Sequence, residues 1–177
     1  MKKTLLKIYK QLKKREVVKF VSLAKTNGYS GWDLDLEEIY EKDRGAYSEF
    51  VEELANALSA EGLLLSVTVH AQEGTPNDWV GTKGQDWESL SQSADFIRIM
   101  AYDFSNTGTL PGPVTPLEKL KAILKYATKV IPIEKIVLGL PTYGYDWREQ
   151  GESVQYTDAL KILEKHNVTP TRDEKSW

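Results

Sequence analysis

No cysteine occurs in this chain of 177 residues, which excludes disulfides and thiol catalysis. Histidine is almost as scarce. His70 and His166 stand far apart and suggest no metal-ligand spacing. No apolar run approaches the length of a membrane span. Basic residues are not in excess: 23 Lys and Arg against 26 Asp and Glu leave a net charge of -3, and nucleic-acid binding wants a basic face. A secretory leader is not expected either, because Lys7 and Lys10 interrupt the apolar residues of the basic stretch Met1 to Gln11. The lack of cysteine does not fix a compartment, since secreted proteins also go without it.

What is present is an alternation of strand and helix patterns, in a chain of one-domain length that can bury a proper core. Val17, Val18, Val21 and Ala24 fall at helical spacing within Lys14 to Thr26, and Asn27-Gly28 ends that run. Gly31 to Glu37 alternates strictly and predicts a strand. From Ala46, the positions Tyr47, Phe50, Val51, Leu54, Ala55 and Leu58 predict an amphipathic helix, stopped by Gly62. Leu63 to His70 is nearly all apolar, as parallel strands buried on both faces tend to be. Further elements are a short helix at Trp87 to Ser93, a strand at Phe96 to Tyr102, a strand at Lys135 to Leu140 and a helix at Thr157 to His166. Thr115 as N-cap, Pro116 at N1 and Glu118 at N3 predict the start of another helix. Long loops at Glu73 to Gln85 and Ser105 to Pro113 follow the second and third strands. Four strands joined by helical crossovers predict an α/β fold with a parallel sheet.

One strand carries the chemistry. Asp33, Asp35 and Glu37 sit at every second position, so a strand puts all three on one face, about 7 Å apart. Trp32, Leu34 and Leu36 then face the other way. Asp is depleted in strands and like charges in one row repel, so a fold that keeps this row has a use for it. On spacing alone a solvated acidic edge remains open, and so does a divalent-metal phosphoesterase site, although metal-type histidine partners are missing. The third reading is catalytic. Crowded carboxylates do not all ionise freely, and a carboxyl that keeps its proton can serve as a general acid.

Around this row, Ser30-Gly31-Trp32-Asp33-Leu34-Asp35-Leu36-Glu37 resembles the DGxDxDxE signature of family-18 glycoside hydrolases, the chitinase-like group, on their fourth barrel strand. Met100-Ala101-Tyr102-Asp103 resembles the family's MxYD element on the sixth strand. Gly139-Leu140-Pro141-Thr142-Tyr143-Gly144-Tyr145-Asp146-Trp147 resembles its seventh-strand end. With Pro111-Gly112-Pro113 ahead of a capped helix, the YGYDW ending is most similar to the bacterial branch associated with spore germination and cortex lysis. The resemblance implies a partial TIM (β/α)8 barrel of about four parallel strands with crossover helices. Residues 1–177 are accordingly read as a single partial catalytic domain, with barrel strands 1–3 and 8 absent. Ser30 stands where the family's first Asp usually sits, and that departure is expected to touch local structure more than chemistry.

The resemblance also implies a reaction: cleavage of β-1,4 linkages in N-acetylglucosamine polymers, chitin or the peptidoglycan of the spore cortex, with retention and without metal or organic cofactor. The family departs from the two-carboxylate scheme, because the substrate's acetamido oxygen is the nucleophile. Glu37 is implied as general acid and then base, Asp35 as the holder of the acetamido N–H, Asp33 as the proton-sharing partner of Asp35, and Tyr102 as a hydroxyl donor to the acetamido oxygen. Met100, Asp103 and Tyr143 are implied substrate contacts. Tyr145 and Trp147 are read as packing or as sugar-stacking aromatics. Ser66 and Thr68 are expected to hydrogen-bond the carboxylates, Arg98 to offset their charge, His70 to be a satisfied structural residue, and Glu38 to point outward. The implied partner is an N-acetylglucosamine-containing polysaccharide, and neither nucleic acid nor a membrane span is implied. For the parent enzyme the implied place is outside the cell, in the wall or the spore. Open sheet edges are expected to invite self-association. The alternative reading is a non-catalytic carbohydrate-binding relative or an inactive fragment.

Overall fold

The computed structural model describes residues 15–75, 79–148, 152–171 and 173. Residues 1–11, read above for a leader, lie outside them. Helix α1 (Arg15–Asn27) is ended by Gly28 at φ +69, a left-handed conformation that glycine adopts without a Cβ penalty. There follow β1 (Gly31–Asp35), α2 (Arg44–Ser59), β2 (Leu64–His70), α3 (Trp87–Ser93), β3 (Phe96–Met100), α4 (Leu117–Val130) and β4 (Ile136–Gly139). The four strands make one parallel sheet in the order β1-β2-β3-β4, with Asp33 opposite Ser66, Thr68 opposite Arg98 and Ile99 opposite Leu138. This is the expected α/β arrangement, with β1 and β4 as its outer strands among the described residues. No described helix is long and apolar enough to cross a membrane.

Alternation sorts the sheet into two faces. Leu34, Leu65, Val67, Val69, Ile97 and Ile99 are buried in one cluster with Tyr47, Phe50, Val51, Leu54 and Leu58 of α2, Leu90 of α3 and Ile123 of α4. Burying each large apolar side chain contributes about 1.5–3 kcal/mol, so this layer between sheet and helices is the core. The alternate positions Asp33, Asp35, Ser66, Thr68, Arg98 and Met100 share the opposite face. Register is also held sterically at the start of β1, where a Cβ on Gly31 would lie 2.0 Å from the Leu64 carbonyl oxygen.

Three local expectations are corrected. The first strand stops at Asp35, short of Glu37, because the next carbonyl, that of Leu36, accepts from the Gln85 side chain. Thr115 does not cap α4: its hydroxyl donates to the Ala101 carbonyl at 2.6 Å, and Pro116 occupies the N-cap. A hairpin of β5 (Tyr143–Asp146) and β6 (Glu152–Gln155) leads into α5 (Tyr156–His166), and no strand was expected there. Its strands are four residues each, too short for alternation to stand out from a loop.

Two glycine substitutions test the register. Gly31→Ala is expected to destabilise the chain by about 3 kcal/mol, since overpacking against backbone has nowhere to relax. Gly45→Ala, on α2 with open space around the new methyl, is expected to stabilise it by about 0.5–1 kcal/mol. Chemical denaturation of both variants decides; equal effects would contradict the β1–β2 register.

Candidate active site

The polar face begins with Asp33. The Thr68 hydroxyl donates to one of its carboxylate oxygens at 2.7 Å, and the Arg98 guanidinium lies 3.4 Å from the other. Thr68 and Arg98 are opposite each other in the sheet, so the Asp33 carboxylate leans toward the strand C-termini. That lean explains Ser66, which faces Asp33 in register yet keeps its hydroxyl without a hydrogen bond. Of the two hydroxyls expected to serve the carboxylates, only Thr68 does so. Arg98 takes the expected charge-offsetting position. Asp35 stands on the same face as Asp33, and Glu37 follows on the loop beyond β1; all three carboxylates reach solvent.

Tyr102, two residues past β3, links this row to the other motifs. Its ring lies against β4, where a Cβ on Gly139 would come within 3.0 Å of it. Burial, reinforced by the charges of Asp35, Asp103 and Glu37, holds the Tyr102 hydroxyl above the usual tyrosine range, while Arg98 pulls the other way. Tyr102 thus shares one electrostatic neighbourhood with Asp35, Glu37 and Asp103. Asp103 accepts hydrogen bonds on a single oxygen from Tyr143 at 2.6 Å and Tyr145 at 2.7 Å. Burial first, then Asp103, raises the Tyr143 pKa; for Tyr145 the bond to Asp103 is the larger cause. Trp147 continues this aromatic row by donating to the Asn106 carbonyl at 3.1 Å. Met100 ends β3 opposite His70 and Gly139, half-buried on the same face.

Backbone strain gathers at the same rim. Asp103 at φ 63 and Glu38 at φ 47 are left-handed without being glycine, an arrangement that persists only where surroundings enforce it. Two residues before Glu38, the Leu36 carbonyl accepts from the buried Gln85 side chain at 3.0 Å, and Gln85 accepts from the His70 amide at 2.9 Å. Gln72 in turn donates to the Gln85 carbonyl at 2.9 Å. Sequence reasoning passed over both glutamines, since an isolated polar residue in a loop has no periodic signature. His70 is not the satisfied residue expected. Its Nε2 is buried without a hydrogen bond, and burial lowers its pKa despite the opposing charges of Glu37, Asp35 and Glu38. The imidazole is therefore neutral near pH 7 and offers no ready proton.

Among the described residues, no group of three or more His, Asp and Glu side chains is arranged to hold a metal ion. An apolar cleft of about 840 Å³ lies between the hairpin and α5, lined by Tyr145, Trp147, Val154, Ile162 and Leu163 among others. It contains none of the residues Asp33, Asp35 and Glu37, though Tyr143, which donates to Asp103, lies on its wall.

The family model for glycosyl hydrolases family 18 matches residues 7–176. The chain belongs to this family. The uncharacterised glycosylase YvbX of Bacillus subtilis is 29% identical over 173 residues, covering 94% of this chain and 50% of that protein. A chitinase of Chromobacterium violaceum superposes with a TM-score of 0.90 at 30% identity, over 96% of this chain and 54% of that one. The spore cortex-lytic enzyme SleL of Bacillus cereus superposes with a TM-score of 0.84 at 26% identity, over 90% and 38%. The chain thus spans about half the length of such relatives, or less. The family-18 likeness also accounts for a sheet that presents carboxylates on its uncovered face: it is an arc of a (β/α)8 barrel.

Titration tests the Asp103 cluster. Both tyrosine pKa values are raised, so the stabilisation from their protonated hydroxyls is complete below the free-tyrosine value of about 10 and is lost as pH rises through the folded values. Asp103→Asn is expected to move the ionisation of both tyrosines to lower pH in ultraviolet difference titrations. Tyr143, with its larger burial contribution, should stay the higher of the two. Unchanged ionisation would contradict the shared hydrogen bonds.

Proposed function

We propose that this chain provides the catalytic strands of a retaining glycoside hydrolase that cleaves β-1,4 linkages of N-acetylglucosamine polymers, chitin or spore-cortex peptidoglycan. The observation that supports the reading is geometric: Asp33 and Asp35 share the polar sheet face, Asp33 held by Thr68 and Arg98, while the Tyr102 ring lies against Gly139 of β4 and the next residue, Asp103, is tied to Tyr143 and Tyr145. In this reading the acetamido oxygen of the bound sugar attacks the anomeric carbon while the glycosidic C–O bond breaks. Glu37 gives its proton to the leaving oxygen. Asp35 accepts the acetamido N–H and offsets the positive charge of the cyclised intermediate, and the Tyr102 hydroxyl orients the acetamido oxygen. Water then attacks the anomeric carbon from the side the leaving group vacated, Glu37 takes its proton, and the configuration is retained. Asp33, fixed by Thr68 and Arg98, sits behind Asp35 as its proton-sharing partner. Asp103, held by two tyrosines, keeps a second oxygen for a substrate hydroxyl, Met100 lines the polar sheet face, and Tyr143 reaches the site from the hairpin through Asp103. Residues 1–177 act here as one partial domain working with the further strands of a barrel.

The second reading is a sugar-binding or inactive segment. The two readings separate by assay. In a complete barrel carrying this segment, Glu37→Gln is expected to lower turnover of a chromogenic N-acetylglucosamine oligomer about 10²–10⁴-fold while leaving sugar binding largely intact. Near-normal hydrolysis would remove Glu37 from the role. The chain by itself is expected to turn over weakly and to associate through its strand edges as concentration rises. A monodisperse monomer in light scattering, with full turnover, would contradict the partial-barrel reading.

A further inference from the structure

Four of the tryptophans lie among the described residues, and three of them, Trp32, Trp87 and Trp147, are buried or half-buried. Trp79 is 53% exposed. It stands in the loop after β2, and it is not loose. The Gly81 backbone lies against the six-membered ring, so that a Cβ there would fall 2.6 Å from Cη2. The Trp79 carbonyl accepts from the Thr82 amide at 2.9 Å and from the Thr82 hydroxyl at 2.8 Å. Thr82 is fully buried, and its own carbonyl accepts from Gln72 at 3.2 Å. The indole is also braced by the His70 ring, edge to face at 5.1 Å between centroids. His70 ends β2 on the polar face, and its backbone amide donates to the Gln85 side chain, which in turn donates to the carbonyl of Leu36, the residue before Glu37. A large apolar ring is therefore held, open to solvent, at the end of β2 beside the loop that carries Glu37.

The geometry points to Trp79 as a stacking platform for one pyranose ring of the N-acetylglucosamine chain, at the sugar position next to Glu37; this rests on the reading of the site given above. β-1,4-linked pyranoses carry their hydroxyls around the ring edge and present apolar C–H faces, which fit a flat indole. An indole is large and amphipathic, and such rings are enriched where one face must be apolar and the surroundings polar. Holding the ring in place beforehand by Gly81, Thr82 and His70 removes an ordering cost from binding. Aliphatic residues exposed elsewhere, such as Leu110 and Ile133, offer no comparable flat face.

The test is a calorimetric titration of the 177-residue chain with a β-1,4 N-acetylglucosamine tetramer, alongside the indole N–H resonances of the same samples. The Trp79 resonance is expected to shift on binding. Trp79→Ala is expected to weaken binding about tenfold, and Trp79→Phe, which keeps a flat face, to restore most of it. Trp79→Leu keeps an apolar side chain without a flat ring and should behave like Trp79→Ala, so a folding defect in one variant does not decide the matter. Unchanged affinity in folded Trp79→Ala or Trp79→Leu would overturn the platform while leaving the site reading intact. A wild-type chain that binds no tetramer would overturn the platform, while the site reading is decided by the Glu37→Gln assay in the complete barrel.

Discussion

The alternation of β1 is the constraint on which the site depends. Leu34 is buried in the layer between sheet and helices, and its two neighbours must then face the other way. Burying Leu34 contributes about 1.5–3 kcal/mol, whereas a one-residue slip would push the carboxylates of Asp33 and Asp35 into the apolar layer. Unpaired buried charge costs several kcal/mol per ion. The same packing that folds the strand therefore fixes which face is acidic. Gly31 reinforces it, because its missing Cβ lets β1 approach the Leu64 backbone in only one register.

From that face outward, each functional position is supported by something that is not itself reactive. Thr68 and Arg98 hold Asp33 from neighbouring strands. Tyr143 and Tyr145, brought in by the hairpin, hold Asp103 in a left-handed backbone. Gln85 ties the loop that carries Glu37 to the end of β2. Of the candidate groups, Asp35, Glu37, Tyr102 and Asp103 lie at or beyond strand C-termini, where loops can vary without disturbing the buried layer, and Asp33 lies within β1.

How much of this was legible in the sequence follows from the range of each interaction. The first strand was visible because Gly31 to Glu37 alternates strictly, the second because Leu63 to His70 is nearly all apolar, and the helices because their apolar residues recur with period 3.6. The acidic row was visible from the alternation of the first strand. Its continuation to Glu37 as strand was overdrawn, since a contact from Gln85, 49 residues away, ends the pairing. Thr115 was read as a local cap, yet its hydroxyl serves the Ala101 carbonyl of a different segment. His70 looked satisfied on parity alone, and only its surroundings reveal a buried nitrogen without a partner. The convergence of Tyr143 and Tyr145 on one oxygen of Asp103 is likewise a long-range fact, which a resemblance could suggest for Tyr143 but which no spacing encodes.

The central claim is that Asp35 and Tyr102 are placed to receive an acetamido group cyclised onto the anomeric carbon. Its most direct test is the affinity, in a complete barrel carrying this segment, for an N-acetylglucosamine thiazoline, a stable mimic of that cyclised intermediate. The account predicts binding that competes with oligomer substrates and weakens about tenfold or more in Asp35→Asn and in Tyr102→Phe, each of which removes one charge-assisted or hydroxyl contact. Affinity left unchanged by both substitutions, or no competition with substrate, would contradict it.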